Sequence, residues 1–505
     1  MDISGYAASA LGLVLLFILS KSVLVLYQPQ KKLNLPPSPP AWPFVGHLHL
    51  LGKLPHQSLT QVAQKYGPLM FLRLGSVPTV VVSNGAIGRE FLKTYDQVFA
   101  SRPKMMAAKI FSYNYQGVAW SEYGPYWRDV RKICQSELFT PARMEASKHI
   151  RTEEAYYMAK YIWDSCEGNN AVDVHSQIYG FSRCIIARMV LNRNYFSSNS
   201  KEALNFKEIV NEYFHLIGVT NLGDFNPYIG WLDIQGYQKR MKAAKKRMDS
   251  IMDRIIQEHQ EKNPEVSTDA SPDFVDVLLS TRSNGHYQHL SIDNIKAVVV
   301  DMLAAGTDTS AATIEWALSE ILINPWVQEK AKEELDHVVG RERKVEEADL
   351  PQLKYLQCVV KETFRLHPVA PFLVPHESTQ AVQVTDYDIP AKTRLLVNAW
   401  AMGRDPSTWE KALEFSPERF LNSNIDVRGH DFELIPFGSG RRACPGISLG
   451  LTLVQLGLAV LLQSFEWSLP SSHENLDMSE VFGLTLPKAV PLRSIATPRL
   501  PHHLY

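Results

Sequence analysis

Apolar residues recur at helical spacing through most of this chain, and short polar segments separate the apolar stretches. The spacing predicts long helices over residues 241–261, 292–322 and 326–339. Residues 261–272 are polar and contain two prolines, which is typical of an exposed loop. The pattern therefore predicts a mainly helical protein.

Two other regions have the composition of β-strands. Residues 69–74 and 79–83 are rich in apolar and β-branched side chains, and the intervening residues 75–78 predict the turn of a hairpin. Residues 374–400 are predicted to be extended, with a turn at residues 387–390. The helices are therefore predicted to be accompanied by a small β portion.

The N-terminal segment departs from this globular pattern. Residues 6–27 are apolar apart from a few serines and Lys21, and a length of about 20 residues matches the hydrocarbon core of a bilayer. A secretory signal peptide is the alternative, but it normally begins with basic residues and ends at small ones. Here Lys31 and Lys32 follow the apolar segment. This order favours a permanent single-pass anchor with the next domain on the cytosolic side.

Residues 28–46 are basic and rich in proline. Such a segment cannot form a helix and is predicted to be a stiff hinge. A proline-rich ligand for another protein is the alternative, but the position next to the anchor favours the hinge. Beyond it, no repeat, low-complexity tract or clear interdomain linker interrupts the sequence. Residues 47–505 are therefore predicted to form one large domain.

Charge and cysteine content exclude several classes of protein. Lys and Arg number 52 against 53 Asp and Glu, so the overall charge gives no reason to expect a nucleic-acid partner. The five cysteines are odd in number and widely scattered. Their spacing fits neither a disulfide framework nor a zinc site. The domain is therefore predicted to face a reducing compartment.

Residues 437–446 carry the most specific chemistry of the chain. This glycine-studded segment places Cys444 directly before a long apolar helix predicted over residues 447–462. The start of a helix and the neighbouring Arg442 both stabilise a thiolate. Phe437 can pack against a flat partner, and Arg442 can neutralise a carboxylate on it. A buried structural cysteine is the alternative, and it would be favoured for an isolated Cys-Pro-Gly.

The complete segment resembles the haem-binding loop of the cytochrome P-450 superfamily at Phe437, Gly440, Arg442, Cys444 and Gly446. The resemblance implies that Cys444 is the axial thiolate ligand of the iron in haem b, and that the other four residues bind the cofactor. It also implies the architecture of that superfamily, mainly α with a small β portion, from the proline-rich hinge essentially to the C-terminus.

A second motif lies inside one of the long apolar helices. Gly306 costs about 1 kcal/mol there relative to alanine, which indicates a packing or functional purpose. Thr309 can donate a hydrogen bond to the carbonyl of Ala305, one turn earlier. An ordinary helix with a threonine facing a neighbour is the alternative. With the cysteine motif downstream, the segment resembles the oxygen groove of the superfamily. The resemblance implies that Asp308 and Thr309 relay protons beside Ala305 and Gly306.

Glu362 and Arg365 lie three residues apart on a predicted helix, where an exposed ion pair would contribute only tenths of a kcal/mol. A solvated helix face is the ordinary interpretation of this spacing. Together with Arg419 downstream, however, the pair resembles the buried Glu-Arg-Arg network of the superfamily. The resemblance implies that these three residues form a structural network behind the haem.

Trp127 and Arg131 lie four residues apart on another predicted helix, so an indole N–H and a guanidinium on one face could bind a carboxylate together. They resemble the pair that binds the haem propionates in the superfamily, with Arg442 and His376 as further partners. A basic surface cluster that docks an acidic electron donor is the alternative.

By the same resemblance, the substrate pocket is expected to involve residues 103–126, 297–305, 369–374 and 483–485. These segments are apolar and aromatic with few charges, which predicts a small, hydrophobic, largely neutral substrate. The exact sequences of these motifs resemble those of plant microsomal members of the superfamily that act in specialised metabolism. Such enzymes hydroxylate terpenoids, flavonoids and other phenolics. A terpenoid, including a polycyclic diterpenoid, is slightly favoured.

These features predict a monooxygenase of the endoplasmic reticulum membrane that inserts one oxygen atom from O2 into a C–H bond. The chain has no Gly-x-Gly-x-x-Gly after a strand and no flavin site, so electrons are predicted to come from NADPH through a cytochrome P-450 reductase on the same membrane. Two alternatives stay open. One is an isomerase or dehydratase that uses haem without external electrons, and the less favoured one is a non-enzymatic haem sensor or carrier.

Overall fold

Helices form most of the chain, as the apolar periodicity predicts. The computed structural model describes residues 33–505 except 167–169, 194–200, 227, 229, 262–271, 284–289 and 471–474. The predicted anchor, the first residues of the hinge and most of the polar loop at residues 261–272 lie outside the described residues.

The predicted long helices are confirmed to within a few residues, as Tyr237–Glu261, Ile292–Ile323 and Pro325–Val338. The remaining α-helices in the described part of the chain are Pro55–Tyr66, Gly85–Arg89, Asp96–Phe99, Met106–Phe111, Pro125–Glu137, Pro141–Ala146, Lys148–Asp164, Val174–Leu191, Lys201–Gly218, Phe274–Ser283, Lys354–Leu366, Ala399–Met402 and Ile447–Ser464. Short 3-10 helices lie at Leu48–Leu50, Leu222–Asp224, Gly230–Leu232, Glu347–Gln352, Pro417–Phe420, Gly440–Arg442 and His502–Leu504, and a π-helical turn lies at Glu90–Thr94.

Four strands form the largest sheet, in the order Leu69–Leu74, Val77–Val82, Arg394–Val397 and His376–Glu377. The first two are antiparallel, which confirms the predicted hairpin. Its second strand begins at Val77, two residues earlier than predicted. The reason is that Gly75 adopts a φ of +60°, so Gly75 and Ser76 alone complete the turn.

Two smaller sheets complete the β portion. One has the order Val172–Asp173, Arg493–Pro498, Phe465–Ser468, and the other pairs Val382–Val384 with Tyr387–Ile389. The turn predicted at residues 387–390 is wrong. Tyr387 pairs with Val384, so the chain reverses at Thr385 and Asp386, where Thr385 adopts a φ of +55°.

The helix Ile292–Ile323, called here the central helix, runs through the main hydrophobic core and packs against Val174–Leu191 and Ile447–Ser464. Its contact with Ile447–Ser464 is close, because a Cβ on Gly457 would lie 2.8 Å from Cδ1 of Ile314. The helix that begins just after the cysteine motif is therefore packed directly against the helix that carries the second motif.

One helix in the described part of the chain, Ile447–Ser464, is long and apolar enough to cross a membrane. In this helix 67% of the residues are buried inside the protein, so its apolar side chains belong to the hydrophobic core. This helix is not the predicted N-terminal anchor, which lies outside the described residues.

Candidate active site

Cys444 lies in a tight loop that leads into the helix Ile447–Ser464. Its backbone N–H donates to the carbonyl of Phe437 at 2.9 Å and thereby closes the loop. The ring of Phe437 packs edge-on against Phe364, with ring centroids 5.1 Å apart. The position of the sulfur is therefore set by backbone bonding and by a packed aromatic ring.

The electrostatic environment of the Cys444 sulfur contains two opposing influences. Burial raises the pKa of the thiol, whereas the backbone N–H of Gly446 and the positive charge of Arg131 lower it. Arg131 is held beside the loop because its Nη2 donates to the carbonyl of Ala443 at 2.7 Å. The N–H of Gly446 and the charge of Arg131 therefore both favour the thiolate, the form in which cysteine binds metals.

The backbone of this loop requires glycine at one of the two predicted positions. Gly440 adopts a φ of +68°, and a Cβ there would lie 2.3 Å from the carbonyl oxygen of Leu92. Gly446 has a φ of −93°, and a Cβ there would make only an ordinary contact of 3.6 Å with Phe139. The backbone therefore demands glycine at Gly440 and not at Gly446.

Arg442 and Trp127 lie together near the loop. Arg442 is buried, and its Nε and Nη2 donate to the carbonyls of Ala100 at 2.6 Å and Ser121 at 2.5 Å. Its guanidinium carbon lies 4.2 Å from the ring centroid of Trp127. The indole N–H of Trp127 donates to the carbonyl of Val118 at 3.0 Å.

A further arginine, Arg102, belongs to the same cluster and was not identified from the sequence. It is buried, and its Nη1 donates to the carbonyls of Val374 at 2.6 Å and Pro375 at 2.8 Å. His376 directly follows Pro375 in the chain and is also buried, with its Nδ1 2.8 Å from the carbonyl oxygen of Phe99. Four basic side chains, called here the basic cluster, therefore converge on one region beside Trp127: Arg102, Arg131, Arg442 and His376.

This basic cluster shows an unbalanced positive charge. Burial, then the charges of Arg442 and Arg131, hold the pKa of Arg102 well below its ordinary value. Burial and Arg131 lower the pKa of Arg442 to about 9, and burial followed by Arg102 lowers the pKa of His376. A bound group that carries carboxylates would relieve this repulsion. The positive charge of the cluster therefore fits the two propionates of haem b.

The second motif has the geometry expected from its spacing. Thr309 Oγ1 donates to the carbonyl of Ala305 at 2.8 Å, and Ala305 is exposed although most of the central helix is buried. Gly306 serves packing: a Cβ there would lie 2.6 Å from Cδ1 of Ile186, on the neighbouring helix Val174–Leu191.

Asp308 faces a partner that the sequence did not suggest. Its Oδ1 accepts a hydrogen bond from Nη2 of Arg183 at 3.2 Å. Burial raises the pKa of the Asp308 carboxyl, while Arg183 and, more weakly, His175 oppose the rise. Asp308 is therefore a partly buried carboxyl whose charge is stabilised from an adjacent helix.

The three residues of the predicted structural network are in contact. Glu362 and Arg365 are fully buried, and Nε and Nη2 of Arg365 donate to the two carboxylate oxygens of Glu362, each at 2.7 Å. Arg419 Nε donates to Glu362 Oε1 at 3.0 Å. Arg365 also binds the carbonyls of Gly403 and Ala412. The network thus ties a helix to two loop segments.

Asp301, also on the central helix, holds the loop that precedes Trp127. Its Oδ2 accepts from the backbone N–H of Ala119 at 2.9 Å, and a Cβ on Gly117 would lie 2.1 Å from the same oxygen. Burial raises the pKa of Asp301 to about 7, although the backbone N–H groups of Ala119 and Val118 oppose the rise. Since the Val118 carbonyl binds Trp127, Asp301 is a positioning residue for the basic cluster.

We expect Asp301→Asn to gain stability relative to the unchanged protein as the pH rises from about 4 to 8. The folded pKa of about 7 lies above the usual 3.8. Between about pH 4 and pH 7 the folded state therefore binds more protons than the unfolded state, and the stability of the unchanged protein falls as the pH rises. Asparagine cannot ionise and keeps an acceptor oxygen. The measurement is the difference in thermal midpoint at pH 5 and pH 8, with Asp293→Asn, at the exposed start of the same helix, as the matched control. A difference that does not change with pH would contradict the proposed titration.

Residues 36–491 match the model of the family described as cytochrome P450. The chain belongs to the cytochrome P450 family. The sequence is 44% identical over 497 residues to Cytochrome P450 CYP736A12 of Panax ginseng, covering 96% of this chain and 98% of the relative. It is 42% identical to a flavonoid 3',5'-hydroxylase of Eustoma exaltatum subsp. russellianum, covering 98% of both.

Solved structures agree with this membership. A zebra fish cytochrome P450 determined with progesterone aligns with a TM-score of 0.75 at 28% identity, over 88% of this chain and 99% of that one. The predicted fold class, the enzyme class of monooxygenase, and the use of haem b with reductase-supplied electrons are thereby confirmed. The relatives are plant cytochromes P450, which confirms the plant-type resemblance.

Proposed function

We propose that this cytochrome P450 hydroxylates a hydrophobic plant specialised metabolite, with Cys444 as the axial ligand of haem b. The observation that carries the proposal is the position of Cys444 in a closed loop beside Arg131. The basic cluster supports it, because its excess positive charge matches the two acidic groups of the cofactor. When bound, the haem supplies the oxidising chemistry that inserts one atom of O2 into a C–H bond.

In this proposal the basic cluster holds the propionates. Trp127, Arg131 and Arg442 come from the predicted set, with His376, and Arg102 joins them. Because Nδ1 of His376 lies against the Phe99 carbonyl, its proton belongs on that nitrogen, and Nε2 becomes a donor only in the protonated ring. The arginines, which stay charged, therefore contribute more of the binding than His376. Phe437, Gly440 and Gly446 shape the loop around the ligand.

The proposed proton path runs along the central helix. Thr309 Oγ1 donates to the Ala305 carbonyl, which leaves its oxygen lone pairs to accept a proton from outside the helix. Asp308 lies on the Arg183 side. Neighbouring positions on a helix do not face each other, so the transfer between the two residues requires a water molecule or a rotation of the Asp308 side chain. Ala305 is the small residue beside the hydroxyl, whereas Gly306 allows the close approach of Ile186 on the neighbouring helix.

We expect Thr309→Ala to lower the product formed per NADPH consumed, by roughly tenfold or more if the hydroxyl acts as a general acid. NADPH consumption itself is expected to continue. The matched control is Thr313→Ala, because Thr313 makes the same bond one turn later, to the carbonyl of Thr309 at 2.9 Å. Equal coupling efficiency in both variants and in the unchanged protein would argue against the assigned role of Thr309.

A membrane location is supported by two exposed apolar groups. Trp42 and Phe44 in the hinge are exposed, and so are Trp231 and Ile234 beyond the helix Lys201–Gly218. The backbone N–H groups of residues 75–76 donate to the carbonyls of Val45, next to Phe44, and of Phe225, on the chain segment that leads to Trp231. Aromatic side chains favour membrane interfaces.

We therefore propose single-pass attachment to the endoplasmic reticulum membrane, with the domain at residues 47–505 in the cytosol. We propose an NADPH–cytochrome P450 reductase on the same membrane as the partner that supplies electrons.

We propose a hydrophobic plant metabolite as substrate and do not restrict it to terpenoids. The sequence motifs slightly favour a terpenoid, whereas several relatives are flavonoid 3',5'-hydroxylases. Both classes are hydrophobic plant metabolites, and both belong in the first screen.

The deciding experiment measures turnover of terpenoid and flavonoid candidates with and without NADPH and reductase. We expect product only when both are present, with one oxygen atom derived from O2. Conversion that proceeds unchanged without them would contradict this proposal and favour the isomerase or dehydratase alternative. Haem binding without any turnover across the screen would favour the sensor alternative.

A further inference from the structure

A cavity of about 120 Å³ lies between the largest sheet and residues 217–225, 371–375 and 482–484. Most of its wall is apolar. Apolar lining side chains include Leu51, Leu59, Trp120, Ile217, Phe372 and Phe482. The cavity has a few polar wall residues as well, and two of them have unused hydrogen-bond donors.

Arg394 is the cationic residue of this wall. It is 5% exposed and lies over the ring of Phe225, with its guanidinium carbon 5.1 Å from the centroid. Its hydrogen bonding within the described part of the chain is one long contact of 3.5 Å, from Nη2 to the backbone carbonyl of Asp224, and its Nε has no partner there. A guanidinium carries five N–H donors, so most of its capacity is unused.

Asn221 is the second residue with an unused donor. It is 7% exposed, and its Oδ1 accepts from the backbone N–H of Gly223 at 3.0 Å. This bond fixes which end of the amide is oxygen. Nδ2 has no hydrogen-bond partner among the described residues. Buried donors are normally paired, so two unpaired donors in one wall indicate an acceptor supplied from outside the protein.

The charge of the wall decides what kind of acceptor fits. Arg394 and Asp224 are the charged side chains among the lining residues. Asp224 raises the pKa of Arg394 against the lowering by burial, and its own Oδ1 is engaged by the backbone N–H of Met106 at 2.7 Å. The positive charge is thus already matched nearby. An anionic ligand would be repelled by Asp224, whereas an uncharged oxygen can accept from these donors without that repulsion.

We propose that Arg394 and Asn221 form a subsite for an uncharged oxygen atom, a carbonyl or hydroxyl group, on the ring-sized apolar end of the substrate. This inference rests on the proposed function. A cavity of about 150 Å³ is known to accept benzene, so a cavity of this size holds about one ring. The rest of the substrate lies beyond it.

The subsite borders the basic cluster. Trp120 and Pro375 line the cavity, and Arg102 donates to the carbonyls of Pro375 and of Ala119, the residue before Trp120. The cavity wall and the proposed propionate site therefore share two chain segments. A substrate that is held by its oxygen at this end has a restricted orientation in the rest of the pocket, so Arg394 and Asn221 are specificity-determining residues.

The test is calorimetric binding of three probes to the full-length holoenzyme: 2-naphthol, naphthalene and 2-naphthoate. We expect 2-naphthol to bind about tenfold more tightly than naphthalene, as one hydrogen bond from a charged donor would give, and more tightly than 2-naphthoate. Arg394→Met should reduce the preference over naphthalene to less than about threefold. Asn221→Asp, which keeps the acceptor for Gly223 and removes the donor, should also reduce it.

The matched control is Arg73→Met, at an exposed arginine on the strand Leu69–Leu74 of the same sheet, which should keep the full preference. The proposal would be overturned by undetectable 2-naphthol binding, by tightest binding of 2-naphthoate, or by a preference that survives in both variants. The carbon monoxide spectrum of the same samples reports the haem ligand independently. A failure of the subsite is therefore distinguishable from a failure of the proposed function.

Discussion

Replacement of Cys444 with serine is expected to abolish the strongly red-shifted carbon monoxide band of the reduced protein, together with NADPH-driven product formation. The thiolate is the form that ligates haem iron, and a serine hydroxyl does not supply it. The loop should persist, because its closing bond runs from the Cys444 backbone N–H to the Phe437 carbonyl and does not involve the sulfur. The measurement is the reduced absorption spectrum with and without carbon monoxide.

The matched control for this prediction is Cys166→Ser. Cys166 is half-buried like Cys444, and its Sγ donates to the carbonyl of Ile162 at 3.1 Å, a bond that a serine hydroxyl can keep. The control is expected to retain both band and activity. If the unchanged protein gave a band at the ordinary haem position, or if Cys444→Ser kept the red-shifted one, Cys444 would not be the ligand.

The parts of the site that depend on local spacing could be predicted from the sequence. The bond from Thr309 to Ala305 follows from the four-residue helical repeat, and the contact of Glu362 with Arg365 follows from the three-residue spacing. The helix boundaries were predictable for the same reason. The misplaced turn near Tyr387 shows the limit, since a run of extended residues does not determine where a hairpin reverses.

The parts that depend on distant segments could not be predicted in this way. Asp308 pairs with Arg183, 125 positions earlier, and Asp301 binds Ala119, 182 positions earlier. Arg102 reaches residues more than 270 positions later. Of the three, Asp301 lies directly between two apolar residues, Val300 and Met302. A charge in such a setting is a usable signal because it is rarely buried without a partner, but the sequence does not identify that partner.

Substitution of Arg365 is expected to have the largest effect on stability. Arg365 is fully buried and donates to both oxygens of Glu362 and to three backbone carbonyls, those of Gly403, Ala412 and Glu414. Removing one partner of a buried ion pair typically costs about 3–5 kcal/mol, because the other charge is left uncompensated. Arg365→Met should therefore lower the thermal midpoint strongly and yield protein with little haem.

The matched control is Arg341→Met. Arg341 is half-exposed and pairs with Asp336, which keeps Arg499 as a second partner, so the expected cost is about 0–1 kcal/mol. Arg365→Lys should fall between the two variants, since lysine keeps the charge but loses the two-pronged contact with Glu362. Thermal midpoints and haem content of all three variants test the order. Full haem content in Arg365→Met, with a midpoint equal to that of Arg341→Met, would mean that Glu362 and Arg419 hold this part of the fold without Arg365.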